Sequence, residues 1–361
     1  MLQSGQGIRL GSHALLAAFV AALTFGSGIG VAAEPAAKST AKPAAPVQDA
    51  SKDAKLIAAA KSEGSVIVYG APSVAALKAD ADAFQKAYGV AMQFTQMTAG
   101  PMTARVDQEI RAGRINADVI ITADRPSLYR WAADNQLAKL PDMKFPEQNE
   151  YMAPIQSIYQ AVLVNTSLVS KADLPKTWAD VLSPKYSGKI ILGSPRIGTA
   201  YSLLYLALLK DPKYGEAFFE KLAANKARVV QNNPLVAQLT AAGEAAYGFT
   251  GIPYDATNVV RANPGAPITY VYLDIVTAAY TYVVVNAKAQ RPNAGRLLAA
   301  WLMSREGQMV HNGENRASSL LGNLPGTLSA PDMKNVRRDI TVEKVTGEYQ
   351  NIIGLFERTF K

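Results

Sequence analysis

Residues 63–124 read EGSVIVYGAPSVAALKADADAFQKAYGVAMQFTQMTAGPMTARVDQEIRAGRINADVIITAD. Three short β-branched or aromatic runs, 66–69 (VIVY), 91–94 (AMQF) and 119–122 (VIIT), alternate here with two helical patterns. Strands that alternate with helices predict a parallel sheet covered on both faces. Each run ends in a small or polar turn: 70–73 (GAPS), 98–100 (TAG) and 122–124 (TAD). In such sheets the loops at the carboxyl ends of the strands line the ligand crevice, so the three turns are candidates for one binding mouth.

The helices follow from their apolar spacing. Leu77, Ala81, Phe84 and Tyr88 share one face of a helix expected over 74–88 and stopped at Gly89. Pro101 and Pro126 stand near the starts of two more, over 101–112 and 125–136. A first helix over 51–62 is closed by Gly64. Residues 156–165 (QSIYQAVLVN) and 278–286 (AAYTYVVVN) are strand-like runs about 120 positions apart, read as two strands crossing between lobes. Between them lies a second α/β unit: strands at 189–192, 228–230 and 246–250, helices at 199–209 and 235–242. Residues 293–304 then return to the first lobe, and 341–360 form a last amphipathic helix, for which bracing of the first lobe is the simplest expectation. The expected divisions are a leader at 1–33, a linker at 34–54, lobe 1 from 55–157 plus 284–361, and lobe 2 from 158–283.

At 361 residues the chain can fill two ordinary domains. Its formal charge of +8 favours anionic ligands by long-range attraction. Nucleic acid is a poor fit, because the basic residues are scattered, with no run longer than Arg337-Arg338. Arg9, the apolar run at 14–25 and Val31-Ala32-Ala33 before Glu34 make a cleavable signal peptide, which predicts a periplasmic protein. With no cysteine there are no disulfides and no thiol chemistry. Residues 34–52, rich in Ala, Pro and Lys, read as a flexible tether.

Catalytic chemistry has little to stand on. Once His13 leaves with the leader, His311 is the one histidine, expected as a surface or cap residue, and a Ser–His–Asp triad would depend on it alone. No G-x-S-x-G, H-E-x-x-H or Walker A pattern occurs. No enzyme, resident metal or cofactor is expected. Anion binding is better supported. Ser194-Pro195-Arg196-Ile197-Gly198-Thr199 ends a strand and opens a helix, where free N–H groups, a hydroxyl and a guanidinium suit phosphate or carboxylate, although the same residues also serve as an ordinary cap. Asn232-Asn233-Pro234 and Thr98-Ala99-Gly100-Pro101 are further helix starts of this kind. Tyr254 stands just past a strand end, where the second lobe should face the cleft.

The segments EGSVIVYG, RVDQEIRAGRINADVIIT, LPKTWADVLSPKYSGKIIL, SPRIGTAY, NPLVAQLTAAGEAAYGF and AGRLLAAWLMSREGQ, in this order across 61–326, resemble the ferric-iron-type periplasmic solute-binding proteins of ABC importers. That resemblance implies two α/β lobes joined by two crossing strands and closing on a ligand. Iron-binding members use two adjacent tyrosines, often with an early histidine and a glutamate. This chain has Pro253-Tyr254, Ser73 and Ala123-Asp124 at the corresponding places, whereas the family's anion-cradling loop matches at 195–199 and its neighbouring amide at Asn233. A ferric ion prefers anionic oxygen ligands, so the departures favour a small anionic solute such as an organic phosphate, phosphonate or carboxylate.

The expected fold is thus α/β, the two-lobed type II periplasmic binding protein fold. The expected function is capture of a small anion and delivery to an inner-membrane ABC permease by a monomer. Arg196, Gly198, Thr199 and Asn233 would hold the anion from the second lobe. Ser73, Thr98, Gly100 and Arg125 would meet it from the first, and Tyr254 would cover it. A ferric importer component and a sensory binding protein docking on a membrane receptor are the alternatives.

Overall fold

The computed structural model describes residues 49–360 apart from 198 and 232. The leader expected at 1–33, and 34–48 of the expected linker, lie outside the described residues. The linker does not extend to 54: residues 49–53 form a capped turn with Ser51 buried, and the Ser51 carbonyl accepts from the Tyr88 hydroxyl at 3.2 Å.

Helix α1 (Ala54–Glu63) starts where the Asp53 carboxylate accepts from the Lys55 and Leu56 amides, and stops at Gly64, whose φ of 75° suits a residue without Cβ. Then follow β1 (Ser65–Gly70), α2 (Val74–Tyr88), β2 (Ala91–Gln96), α3 (Ala99–Arg111), β3 (Val119–Thr122), α4 (Arg125–Ala133), β4 (Leu137–Ala138) and β5 (Ala153–Tyr159). β1 pairs in parallel with both β2 and β3, as the alternation predicts. Leu77 and Phe84 of α2 pack with Val66 and Val68 on one face. Met102, Val106, Leu128 and Trp131 of α3 and α4 pack with Tyr69 and Ile120 on the other.

The expected crossing strand at 156–165 is two strands. β5 stays in the first sheet, and after Gln160 the chain enters a second sheet as β6 (Ala161–Asn165). That sheet continues through β7 (Ile190–Gly193), α5 (Thr199–Leu209), α6 (Gly215–Ala224), β8 (Arg228–Val230), α7 (Asn233–Ala241), β9 (Tyr247–Gly251), α8 (Pro253–Ala262) and β10 (Ile268–Val271). Its order is β10-β6-β9-β7-β8. Residues 272–277 lead back to β11 (Ala278–Asn286), which lies antiparallel to β3, β4 and β5 in the first sheet. Where the two connections pass, the Gln160 amide donates to the Thr277 carbonyl at 3.1 Å, and the Thr277 hydroxyl to the Gln160 side chain at 2.5 Å.

α9 (Pro292–Met303) buries Leu297, Leu298 and Trp301 in the first core, as expected. The Glu63 carboxylate accepts from the Asn293 and Ala294 amides at its start. α10 (Arg305–His311) ends on the histidine expected as a surface or cap residue. His311 is instead fully buried, with Nδ1 2.7 Å from the Asp80 carboxylate, because the short helix packs on both α2 and α9.

The chain then crosses a third time. Val276 accepts from the Arg337 amide and donates to the Asn335 carbonyl, which ties residues 333–337 to the second connection. α11 (Val342–Thr359) follows, and it does not brace the first lobe as expected. Val345, Ile352, Leu355 and Phe356 join the core of the second sheet, together with Leu204, Tyr205 and Phe219. The physical reason is a complementary aromatic surface: the Phe356 ring lies 4.5 Å from Tyr205 and 6.0 Å from Phe219.

Truncation of a ring this buried costs about 3–5 kcal/mol. Phe356→Ala should therefore lower the urea midpoint of unfolding clearly, and an unchanged midpoint would show α11 to be a loose appendage.

Candidate functional site

A cavity of about 390 Å³ opens where the carboxyl ends of the first lobe's strands meet the connections between lobes. α3, α4, β11 and residues 336–342 line it, with Leu203 of α5 from the second lobe. Of the three turns expected to share one mouth, those at 98–100 and 122–124 contribute to its lining, and that at 70–73 does not.

Two helix starts converge on it. At α3 the Thr98 side chain makes no capping hydrogen bond. Ala99 and Gly100 line the cavity, their amides have no partner among the described residues, and a Cβ on Gly100 would meet only open space. At α4 the Asp124 carboxylate is fully engaged. It accepts from the Ser127 amide, from the Ser127 hydroxyl at 2.7 Å and from the Thr103 hydroxyl at 2.6 Å. The last bond ties the first turn of α4 to that of α3.

Arg125 follows directly. Its guanidinium donates to the Tyr129 hydroxyl at 2.6 Å and stands 6.0 Å from the centre of the Tyr282 ring. It forms no ion pair with any described carboxylate. The cavity's other guanidiniums are compensated. Arg338 donates to Glu147 at 2.7 Å, while Arg337 donates to Asp339 at 2.8 Å and Asp211 at 3.2 Å. Tyr280 and Tyr282, two residues apart on β11, present their rings on one face, with centroids 6.3 Å apart. Burial pushes the Tyr282 phenol up to about 12, against the opposing pull of Arg125, and raises Tyr280 likewise. Both phenols are therefore neutral near pH 7, and act as donors and aromatic surface.

Of the expected site residues, Gly100 and Arg125 line this cavity. Ser73 does not: its hydroxyl accepts from the Ala76 amide and caps α2. Thr98 flanks the cavity as the residue before α3, and Tyr254 sits half-buried in the first turn of α8, away from the cavity's lining. Arg196 is turned elsewhere. Its guanidinium is 2.5 Å from Glu357 of α11, in a separate hollow with Phe360. Gly198 lies outside the described residues; Thr199 and Asn233 open α5 and α7 as expected. Asp274 accepts from the Trp178 amide, Lys213 and Tyr214 within the second lobe. Sequence reading missed Glu147, Arg337 and Arg338. It placed Tyr280 and Tyr282 in a crossing strand without assigning them to the site.

A family model for bacterial extracellular solute-binding proteins matches residues 79–344, most of the chain. The chain belongs to this family. The solute-binding protein is 24% identical over 282 residues to the major ferric iron-binding protein of Neisseria meningitidis, covering 71% of this chain and 80% of that one. Its fold is similar to that of iron-bound HitA from Pseudomonas aeruginosa, with a TM-score of 0.60 at 19% identity over 82% of this chain and 99% of that one. It is also similar to AfuA from Actinobacillus pleuropneumoniae, bound to fructose-6-phosphate, with a TM-score of 0.56 at 18% identity over 82% and 99% of the two chains. These likenesses establish the two-lobed α/β architecture. Among the described residues of this solute-binding protein, no three His, Cys, Asp or Glu side chains are grouped so as to hold a metal ion.

Asp255 stands beside Tyr254 in the first turn of α8. Its carboxylate accepts no hydrogen bond, and burial pushes it up to about 6. A carboxyl raised above its unfolded value of about 3.9 favours the fold below that pH, and this contribution is lost as pH rises through 6. Asp255→Asn should therefore stabilise the protein at pH 7.5 by on the order of 1–2 kcal/mol, part of the gain being offset by the lost interaction with the helix dipole. The advantage should vanish near pH 4. Thermal midpoints of both proteins across this range check it, and an advantage that stays constant with pH would refute it.

Proposed function

We propose that the protein is the periplasmic component of an ABC importer, which captures a small anionic solute in this cavity and delivers it to an inner-membrane permease. The observation that carries the reading is Arg125: a partly buried guanidinium without a carboxylate partner, on the same cavity as the free amides of Ala99 and Gly100. A guanidinium and the start of a helix both favour negative charge, and each is worth more in a partly dry cleft than in water. Ligand contacts made only when both lobes engage the solute would shift the population toward a closed form. In that form the helix starts at Thr199 and Asn233, with Tyr254, would supply the second lobe's side of the site.

The names of the curated relatives favour a second reading, ferric iron as the cargo. The donor set weighs against it. The tyrosine retained at the family's ligand position, Tyr254, does not line the cavity, and no three His, Cys, Asp or Glu side chains among the described residues are grouped so as to hold a metal ion.

Titration calorimetry with benzoate, glycerol 3-phosphate, glucose and spermidine separates these possibilities. At least one of the two anions should bind, while the neutral sugar and the polycation should not. Arg125→Gln should weaken the anion roughly ten- to hundredfold, since a charge-assisted bond contributes about 1.5–3 kcal/mol. Unaltered affinity in that variant would contradict the proposal, as would ferric binding with a visible phenolate-to-iron absorption band.

A further inference from the structure

We infer that the solute is a monocarboxylate with an aromatic or bulky apolar body, in preference to a sugar phosphate or an inorganic anion. This rests on the anion reading above and adds the chemistry of the rest of the molecule. The inference follows from an inventory of which cavity groups are still free to meet a ligand. Asp124 accepts three hydrogen bonds from the protein. Glu147 is paired with Arg338, and Arg337 with two aspartates. The Thr341 hydroxyl accepts from the Lys344 amide as the cap of α11. What remains is the Arg125 guanidinium, two backbone amides, the Thr341 hydroxyl proton and the two phenols of Tyr280 and Tyr282, which make no hydrogen bond among the described residues.

A sugar phosphate would bring several hydroxyls into a space where the two phenols and the Thr341 hydroxyl are the side-chain hydroxyls at hand, so those that reach the apolar walls would lose water without a partner. The remaining walls are apolar: Leu203, Val336, Ile340 and Val342, facing the two tyrosine rings. The volume of about 390 Å³ far exceeds what an inorganic anion needs and falls within the range of pockets that enclose small organic molecules. A carboxylate set on Arg125 places its body over the Tyr282 ring, which the same guanidinium already faces at 6.0 Å. A ring in that position gains both apolar burial and edge or stacked contacts with the tyrosine pair.

The test is calorimetric titration of the wild-type protein with benzoate, phenylacetate, acetate, inorganic phosphate and glycerol 3-phosphate, repeated with Tyr280→Leu and Tyr282→Leu. Benzoate or phenylacetate should bind at least about tenfold tighter than acetate, because burying a ring contributes more than the 1.4 kcal/mol that a factor of ten requires. The leucine variants should lose the aromatic preference, the benzoate-to-acetate affinity ratio falling toward one. Phosphate or glycerol 3-phosphate binding as tightly as the aromatic acids would overturn this inference and leave the anion reading standing. Binding by none of the five would overturn both. The comparison among ligands on the wild-type protein does not depend on the variants folding.

Discussion

The register of β11 is the constraint on which the site depends. Tyr282 pairs with Thr122, the last residue of β3, and Tyr280 pairs with Ser157 of β5. This places Tyr282 beside the turn that carries Asp124 and Arg125, and directs both rings to the side where α3 and α4 begin. A slip of one residue would send Tyr280 and Tyr282 to the opposite face and bring Thr281 and Val283 to their places. Burial enforces the register. Val283 and Val285 pack against Leu297 and Leu298 of α9, while Val284 and Tyr282 pack with Trp131 of α4. The hydrophobic cores on both faces of one strand thus decide which side chains line the cavity.

The electrostatics of the cleft depend on the third connection. By bringing Arg337 and Arg338 to the cavity together with the carboxylates that neutralise them, residues 336–342 close its wall without adding much net charge. Arg125 is left as the cation without an ion-pair partner, beside the Asp124 carboxylate, whose hydrogen-bond partners are the neutral Thr103 and Ser127. The same segment is anchored to the second lobe by α11 and to the second connection by the Val276 backbone. One wall of the cavity therefore belongs to a segment linked to both lobes, a placement through which solute contact and lobe movement would be coupled.

Much of the fold was legible because its signals are local. α2, β3 and α5 lie at the boundaries read from sequence, since the first is bracketed by Ser73 and Gly89, the second is a run of β-branched residues, and the third follows a strand and turn. α6, α8, α10 and β10 went unread. α8 opens with Pro253 two residues after β9, so its first turn passed for a cleft loop, and α10 is only seven residues long. Within the site, Gly100 and Arg125 were found from the general placement of ligands at strand ends. Arg196 shows the limit of that approach: no local pattern could show that it pairs with Glu357, 161 positions later. Glu147, Arg337 and Arg338 were missed for the same reason, because only the tertiary path of the third connection brings them to the cavity.

Native mass spectrometry of the protein, purified from the periplasm without added ligand, reads directly what the cleft carries. A single bound organic acid, lost on replacement of Arg125 by glutamine, is the expected result. A mass increment of iron, retained in that variant, would contradict the central claim that this cleft is built around an anion.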